Sequence, residues 1–202
     1  MKILHIDSSI LGDESVSRII SADIVARLGS GHYDLEVVYR DLVDDAPLHL
    51  TGRHLAAAKG ALVPDAALAA DLALGSAYMD ELFAAEIIVI GAPMYNFTIP
   101  SQLKAWIDRV VVAGRTFSYG KEGVQGLVKG KKLYLACSRG GFYLGDSPMA
   151  TLEHEESYLL SMLGFIGLTD VTVIRAEGGN LGEEVKVAEL AKAKAAITAL
   201  AA

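Results

Sequence analysis

Three short stretches carry residue types that can hold a ligand. The first is Asp7-Ser8-Ser9-Ile10-Leu11-Gly12-Asp13-Glu14-Ser15-Val16-Ser17, where a β-rich run gives way to a helical pattern. A helix N-terminus offers unbonded N–H groups and the positive end of its dipole, so hydroxyls of Ser9, Ser15 and Ser17 placed there suit a phosphate. Neither GxGxxG nor GxxxxGK[ST] is present, so a single phosphate monoester fits better than a pyrophosphate or a nucleoside triphosphate. Ser15 or Ser17 can also simply cap the helix, which is compatible with binding an anion at the same amides. Asp13 and Glu14 suit the first turn of a helix rather than an anionic ligand.

The second stretch is Gly91-Ala92-Pro93-Met94-Tyr95-Asn96-Phe97-Thr98-Ile99-Pro100. Two prolines stiffen it, while Met94, Tyr95 and Phe97 present polarizable and aromatic faces on which a flat heterocycle can lie. The third is Ala136-Cys137-Ser138-Arg139-Gly140-Gly141-Phe142-Tyr143. Its paired glycines let main-chain amides approach the polar edge of a ring without a Cβ in the way.

Something must bring these stretches together. Five β-rich runs (2–6, 35–39, 87–90, 132–137 and 171–174) alternate with helical patterns at 16–28, 55–84 (interrupted near Pro64), 101–112, 152–163 and 183–200. Unbroken apolar runs such as Ile87-Ile88-Val89-Ile90 suit strands covered on both faces, so a parallel, doubly wound α/β sheet is expected. In that architecture ligands bind at the carboxyl ends of the strands, beside the switch point between the first and third. Residues 114–130, rich in glycine and aromatics, read as an excursion of the kind that often carries function. The alanine-rich end reads as a helix with Val187, Leu190, Ala191 and Ala195 on one face.

The chain has 202 residues, 52% of them hydrophobic and 21% charged, which suits one folded domain spanning 1–202 and excludes intrinsic disorder. A formal charge of −7 without a basic run argues against nucleic acid and anionic membranes. The run from Leu82 to Met94 is too short and too interrupted to span a bilayer. A single cysteine, Cys137, forms no internal disulfide, and no cysteine–histidine cluster has zinc spacing, so a cytoplasmic setting without a metal is expected. Cys137 itself reads as a small packed hydrophobe, and His5 as structural. His49, His54 and His154 have no evident triad partners, Arg139 taken alone suits a surface ion pair, and Glu155 with Glu156 suits a solvated helix face.

The three stretches together, with Trp106-Ile107-Asp108, Arg40-Asp41-Leu42, Gly114 to Tyr119 and Gly164-Phe165-Ile166-Gly167, resemble the FMN-dependent NADH-azoreductases, relatives of the flavodoxin-like quinone reductases. The resemblance covers nearly the whole chain and implies a flavodoxin-like three-layer fold with strand order 2-1-3-4-5. It implies non-covalent FMN, its phosphate held by Ser9, Ser15, Val16 and Ser17. Pro93, Met94, Tyr95, Asn96 and Phe97 would bed the ring, and Ser138, Arg139, Gly140 and Gly141 would line its pyrimidine side. Phe117, Tyr119 and Tyr143, the last standing where the family often has histidine, would line the substrate space. A ping-pong cycle is implied, in which NADH or NADPH reduces the flavin and a quinone or azo compound reoxidises it, at a homodimer interface and with no catalytic side chain. A flavodoxin-like single-electron carrier is the alternative from a different class.

Overall fold

The computed structural model describes residues 1–201. Its strands are β1 (Lys2–Asp7), β2 (Glu36–Asp41), β3 (Ile87–Pro93), β4 (Phe117–Gly120), β5 (Gly123–Gly126), β6 (Lys132–Ser138) and β7 (Asp170–Ala176). The helices are α1 (Val16–Gly29), α2 (Gly52–Ala58), α3 (Ala66–Ala84), α4 (Ser101–Val110), α5 (Glu156–Phe165) and α6 (Glu183–Thr198). Five strands pair in parallel in the order β2-β1-β3-β6-β7, which is the expected 2-1-3-4-5 once the separate β4–β5 hairpin is left out of the count. No described helix is long and apolar enough to cross a membrane.

Strand alternation divides the interior into two cores, because successive side chains leave a strand on opposite faces. Ile3 and Val89 pack with Ile20, Ile24 and Leu28 of α1 and with Ala193 and Ile197 of α6. Leu4, Ile6, Ile88 and Ile90 pack on the other face with Tyr78 and Leu82 of α3, Leu103 and Trp106 of α4, and Leu159 and Leu163 of α5. Both faces of the sheet are thus covered, which is why its central strands read as continuous apolar runs.

Three local expectations need correction. On α6 the buried residues are Ala193 and Ile197, whereas Val187, Ala191 and Ala195 face outward. Alanine's small, uniform surface left the rotation of that helix undetermined by pattern alone. The helix expected from Leu152 starts at Glu156, after a 3-10 turn at Ala150–Leu152. The Glu153 carboxylate explains the delay, since it accepts the amides of Glu155 (2.8 Å), Glu156 (2.7 Å) and Ser157 (3.1 Å) and so closes the helix N-terminus from outside. Finally, the excursion after α4 is an antiparallel hairpin fastened to the end of α5, with the Val128 amide donating to the Ile166 carbonyl at 2.9 Å.

One polar group crosses into the α1 core. Asp7 ends β1 and accepts from Ser21 Oγ at 2.7 Å and Tyr39 Oη at 3.2 Å, while His5 Nε2 lies 3.0 Å from the same Ser21 hydroxyl. Its carboxylate occupies the space where a side chain at Gly91 would stand, with Ser21 Oγ 3.1 Å and the Ser17 carbonyl 3.3 Å from that point. Gly91 is therefore required by close approach, and it sits where β1, β3 and α1 meet beneath the first loop. Gly91→Ala is expected to lower unfolding stability by about 1–3 kcal/mol in urea titration, the usual range for overpacking. Unchanged stability would show that Asp7 moves aside without penalty.

Candidate functional site

A cleft of ≈ 230 Å³ opens at the carboxyl ends of β1, β3, β6 and β7. Its first wall is the loop between β1 and α1. Ser15 caps α1, accepting the Arg18 amide at 3.3 Å, and its hydroxyl lies 3.1 Å from that of Ser17. Among the described residues the amides of Val16 and Ser17 have no acceptor, as expected for a first helical turn. Ser9 Oγ accepts the Leu11 amide at 3.3 Å and lies 3.2 Å from Tyr95 Oη, which itself accepts the Ile10 amide at 3.1 Å. Tyr95 thus links the first wall to the second. Ser8 is not part of the donor set, because its hydroxyl is buried and donates to the Gly91 carbonyl at 2.8 Å.

The second wall follows β3. Tyr95 and Thr98 exchange two backbone hydrogen bonds (2.8 and 3.2 Å) around Asn96 and Phe97, both at positive φ (49° and 73°). This is a two-residue hairpin of the primed type, whose second position usually takes glycine. Phenylalanine there is held in a sparsely populated conformation, of the kind that clusters at ligand sites. The turn is tied down by the His154 amide donating to the Phe97 carbonyl at 2.9 Å and by Thr98 Oγ1 donating to the His154 carbonyl at 3.1 Å. Phe97 is partly exposed, its ring edge-on to that of Tyr143 with the centroids 6.2 Å apart.

The third wall is built by the loops after β6 and β7. The carbonyls of Arg139, Gly140 and Gly141 accept the amides of Gly179 (2.9 Å), Asn180 (2.9 Å) and Gly178 (3.0 Å). In a trans peptide the N–H points opposite to the C=O, so the amides of Gly140, Gly141 and Phe142 point away from the β7 loop. None of the three has an acceptor among the described residues. A row of unpaired donors beside an apolar bed can meet the carbonyl edge of a heterocycle.

This loop is anchored by Arg139, whose guanidinium is fully enclosed. Nε donates to Glu155 at 2.8 Å, the two terminal nitrogens to Glu156 (2.9 Å), Glu177 (3.2 Å) and Glu153 (3.3 Å). The expectations of a surface ion pair at Arg139 and of a solvated Glu155–Glu156 face are both overturned, since Glu155 is 0% and Glu156 7% exposed. The reason is charge pairing: a buried cation is tolerated only when surrounded by anions. Arg139 therefore borders the cleft through its main chain, its side chain being turned to the glutamates. Burial pushes the Glu155 carboxyl up to about 7 despite Arg139, and its Oε1 has no hydrogen-bond partner among the described residues. For Glu156 burial acts in the same direction, but hydrogen bonds from Arg175 and Arg139 outweigh it and hold that carboxyl below its usual value. Burial, reinforced by Glu155, pushes the Cys137 thiol well up, which agrees with a packed thiol rather than a nucleophile.

Of the residues singled out in the sequence, Ser9, Ser15, Val16, Pro93, Met94, Tyr95, Ser138, Arg139 and Gly140 line the cleft. Ser17 is buried beneath the first wall; Asn96, Phe97, Gly141 and Tyr143 do not line the cleft, although Asn96 and Gly141 directly follow residues that do. Phe117 and Tyr119 are not brought to it. Phe117 is buried 4.7 Å from the Phe165 ring, and Tyr119 lies outside against it at 5.6 Å. Sequence reading missed the β7 loop, of which Glu177, Gly179 and Asn180 border the cleft together with Lys186 of α6. The signal was available in Glu177-Gly178-Gly179-Asn180, a second glycine pair at the end of a strand.

The profile of a family described as Flavodoxin-like fold matches residues 1–201. The chain is 55% identical over 202 residues, covering 100% of both sequences, to "FMN-dependent NADH:quinone oxidoreductase 2" of Bradyrhizobium diazoefficiens. Among solved structures it resembles an azoreductase from Bacillus anthracis at TM-score 0.83 and 29% identity, over 99% of this chain and 100% of that one. A second match from Bacillus anthracis, an FMN-dependent NADH-azoreductase in complex with FMN, gives TM-score 0.85 and 25% identity over 100% and 99% of the two chains.

The Glu155 carboxyl generates a pH dependence of stability. Its folded value of about 7 lies above the ordinary 4.5, so the native state holds a proton that the unfolded chain releases, and stability falls as pH rises through this window. Glu155→Gln, neutral at every pH, is expected to remove a decline of about 3 kcal/mol, measured as the difference between wild type and variant in urea unfolding across that window. A wild-type-minus-variant difference that stays constant with pH would contradict this assignment.

Proposed function

Since the chain belongs to the flavodoxin-like fold family matched over residues 1–201, we propose that it is a single FMN-binding domain acting as an FMN-dependent NADH:quinone oxidoreductase that also reduces azo compounds. The observation that carries the reading is the donor set of the cleft. Ser9, Ser15 and the first-turn residue Val16 stand on one wall, Pro93, Met94 and Tyr95 on the next, and Gly140, the first of three residues with unpaired amides, on the third. That set fits FMN, which offers an anionic phosphate, a flat ring and a carbonyl-bearing edge.

FMN, when bound, supplies two-electron chemistry, accepting hydride equivalents from NADH and returning them to a quinone or azo acceptor. The chain's own residues bind and orient. Ser9 and Ser15, with the Val16 and Ser17 amides, would take the phosphate, the α1 dipole supplying the favourable field. Pro93, Met94 and Tyr95 would support the ring and exclude water from one of its faces, while Asn96 and Phe97 fix the edge of that bed. The amides of Gly140, Gly141 and Phe142 would favour negative charge at the pyrimidine edge because they are held in place beforehand. Ser138 supports this arrangement through its carbonyl, which accepts the Met94 amide at 2.8 Å and locks the second wall to the third. No side chain is required to move a proton, and Tyr143 with Phe97 bounds the acceptor space.

Anaerobic titration of the FMN-loaded protein with NADH is expected to bleach the flavin in one two-electron step, and either a quinone or an azo dye is expected to restore it. Flavin that is retained yet ignores NADH, or that halts at a one-electron state, would favour the electron carrier.

The reading includes a homodimer with the cleft at its interface and a cytoplasmic setting, the latter supported by the lone buried thiol and an NADH-dependent reaction. Support for the dimer comes from apolar side chains exposed around the cleft mouth, with Ile10 at 58%, Leu11 at 57% and Phe142 at 44%. In such a dimer, Phe117 and Tyr119 would reach a substrate only as contributions from the hairpin to a neighbouring site. Sedimentation equilibrium is expected to give twice the chain mass; a monomer at micromolar concentration would contradict the dimer while leaving the cofactor reading intact.

A further inference from the structure

The phosphate wall contains one cation, Arg18, and its geometry assigns it a task other than meeting the anion. Arg18 lies in the first turn of α1. Its guanidinium makes a two-pronged ion pair with Asp41, Nη1 to Oδ2 at 2.6 Å and Nη2 to Oδ1 at 2.7 Å, and Nη1 also donates to Tyr39 Oη at 3.0 Å. The remaining donors converge on one atom, the Ser9 carbonyl oxygen, with Nε at 3.1 Å and Nη2 at 2.8 Å. Asp41 is itself fixed, ending β2 opposite Asp7 and accepting the Val43 amide at 2.9 Å. The carboxylate beside it raises the Arg18 pKa, and the guanidinium in turn holds Asp41 below its ordinary value, so the pair stays ionised and its charges cancel locally.

We propose that Arg18, clamped by Asp41, is a positioning residue for the phosphate cradle: by holding the Ser9 carbonyl toward α1 it turns the following peptide so that the Ile10 N–H meets Tyr95 Oη, the hydroxyl beside Ser9 Oγ, and thereby fixes the Ser9 side of the cradle. The physical basis is the rigidity of the peptide plane, in which fixing the direction of a C=O fixes the opposite direction of the next N–H. The direction is visible in the structure, where the Ser9 carbonyl accepts from Arg18 while the Ile10 amide of the same peptide points to Tyr95 Oη at 3.1 Å. The eight-residue loop between β1 and α1 carries a 3-10 turn at Gly12–Glu14 whose hydrogen bonds begin only at the Leu11 carbonyl, so they do not hold the Ser9–Ile10 peptide. Asp41 and Tyr39 extend the hold to the edge strand β2, so the cradle is braced against the sheet on the side away from the ring bed. An arginine is needed because only a planar fork reaches two carboxylate oxygens and a carbonyl at once; the point charge of a lysine cannot.

The proposal rests on the reading of this wall as the phosphate end of an FMN site, and the test separates the two. Binding of FMN and of riboflavin, which lacks the phosphate, is compared by flavin fluorescence quenching for wild type, Arg18→Gln and Arg18→Lys. Wild type is expected to prefer FMN. In both variants the FMN Kd is expected to rise roughly tenfold, the scale of losing charge-assisted hydrogen bonds, while the riboflavin Kd stays within about twofold. Arg18→Lys keeps a cation beside Asp41 and carries the test where the Gln variant does not fold; restored FMN preference in Lys would show that charge, not orientation, matters and would overturn the proposal. Equal weakening of both flavins would also overturn it, by reducing Arg18 to a general structural role, as would an unchanged FMN Kd. A wild-type chain with no preference for FMN over riboflavin would instead overturn the phosphate reading itself, and the proposal with it.

Discussion

A guanidinium with no access to water must be surrounded by acceptors, and that requirement at Arg139 organises the ligand-facing end of the molecule. Its partners come from the turn before α5, from the first residues of α5 and from the end of β7. Satisfying one side chain therefore fixes three chain segments against one another. Glu153 serves twice, accepting from Arg139 and closing the N-terminus of α5, and Glu177 likewise holds both Arg139 and the Tyr143 amide at 2.8 Å. With the β6 and β7 loops locked side by side, three successive carbonyls turn toward the β7 loop and three amides turn away from it. The direction of the amides in the third wall is thus a consequence of an ion cluster centred on a side chain turned away from the cleft. Removing one partner of such a cluster leaves an uncompensated charge, typically worth about 3–5 kcal/mol of stability.

The other two walls solve the same problem differently. The loop after β1 has no buried ion cluster, and is held instead by the fork from Arg18 to Asp41 and Ser9 and by Tyr95 reaching over from the hairpin. The hairpin after β3 is held by its own two backbone hydrogen bonds and by His154, at the expense of a phenylalanine in the left-handed region. Each wall is also joined to a neighbour, the first to the second through Tyr95 and the second to the third through the Met94 amide and Ser138. The cleft is consequently built in advance of any ligand, which is what a protein needs when the cofactor carries the chemistry and the chain contributes orientation and electrostatics.

The β-rich runs and their order were readable because strands buried on both faces leave continuous apolar segments, as in Ile87-Ile88-Val89-Ile90. The three walls were readable from hydroxyls at a helix start, a proline-bounded aromatic loop and a glycine pair. What escaped reading was non-local. Glu155 and Glu156 look solvated because their partners, Arg139 and Arg175, lie more than a dozen residues away in either direction and meet them only through strand pairing. The turn at Asn96-Phe97 escaped because phenylalanine is a rare occupant of its position, and the hairpin of β4 and β5 because strands of four residues barely register as a pattern. The substrate-lining role expected of Phe117 and Tyr119 is not met within the chain, where Phe117 packs on Phe165 and Tyr119 on Phe117, away from the cleft.

The central claim is that one pre-built cleft receives FMN in one orientation. A crystal structure of the protein with FMN tests it most directly. The account predicts the phosphate within hydrogen-bond distance of Ser9, Ser15 and the Val16 and Ser17 amides, the ring against Met94 and Tyr95, and its carbonyl edge on the amides of Gly140, Gly141 and Phe142. FMN bound elsewhere, or reversed so that its phosphate lies on the Gly140–Gly141 loop, would contradict it.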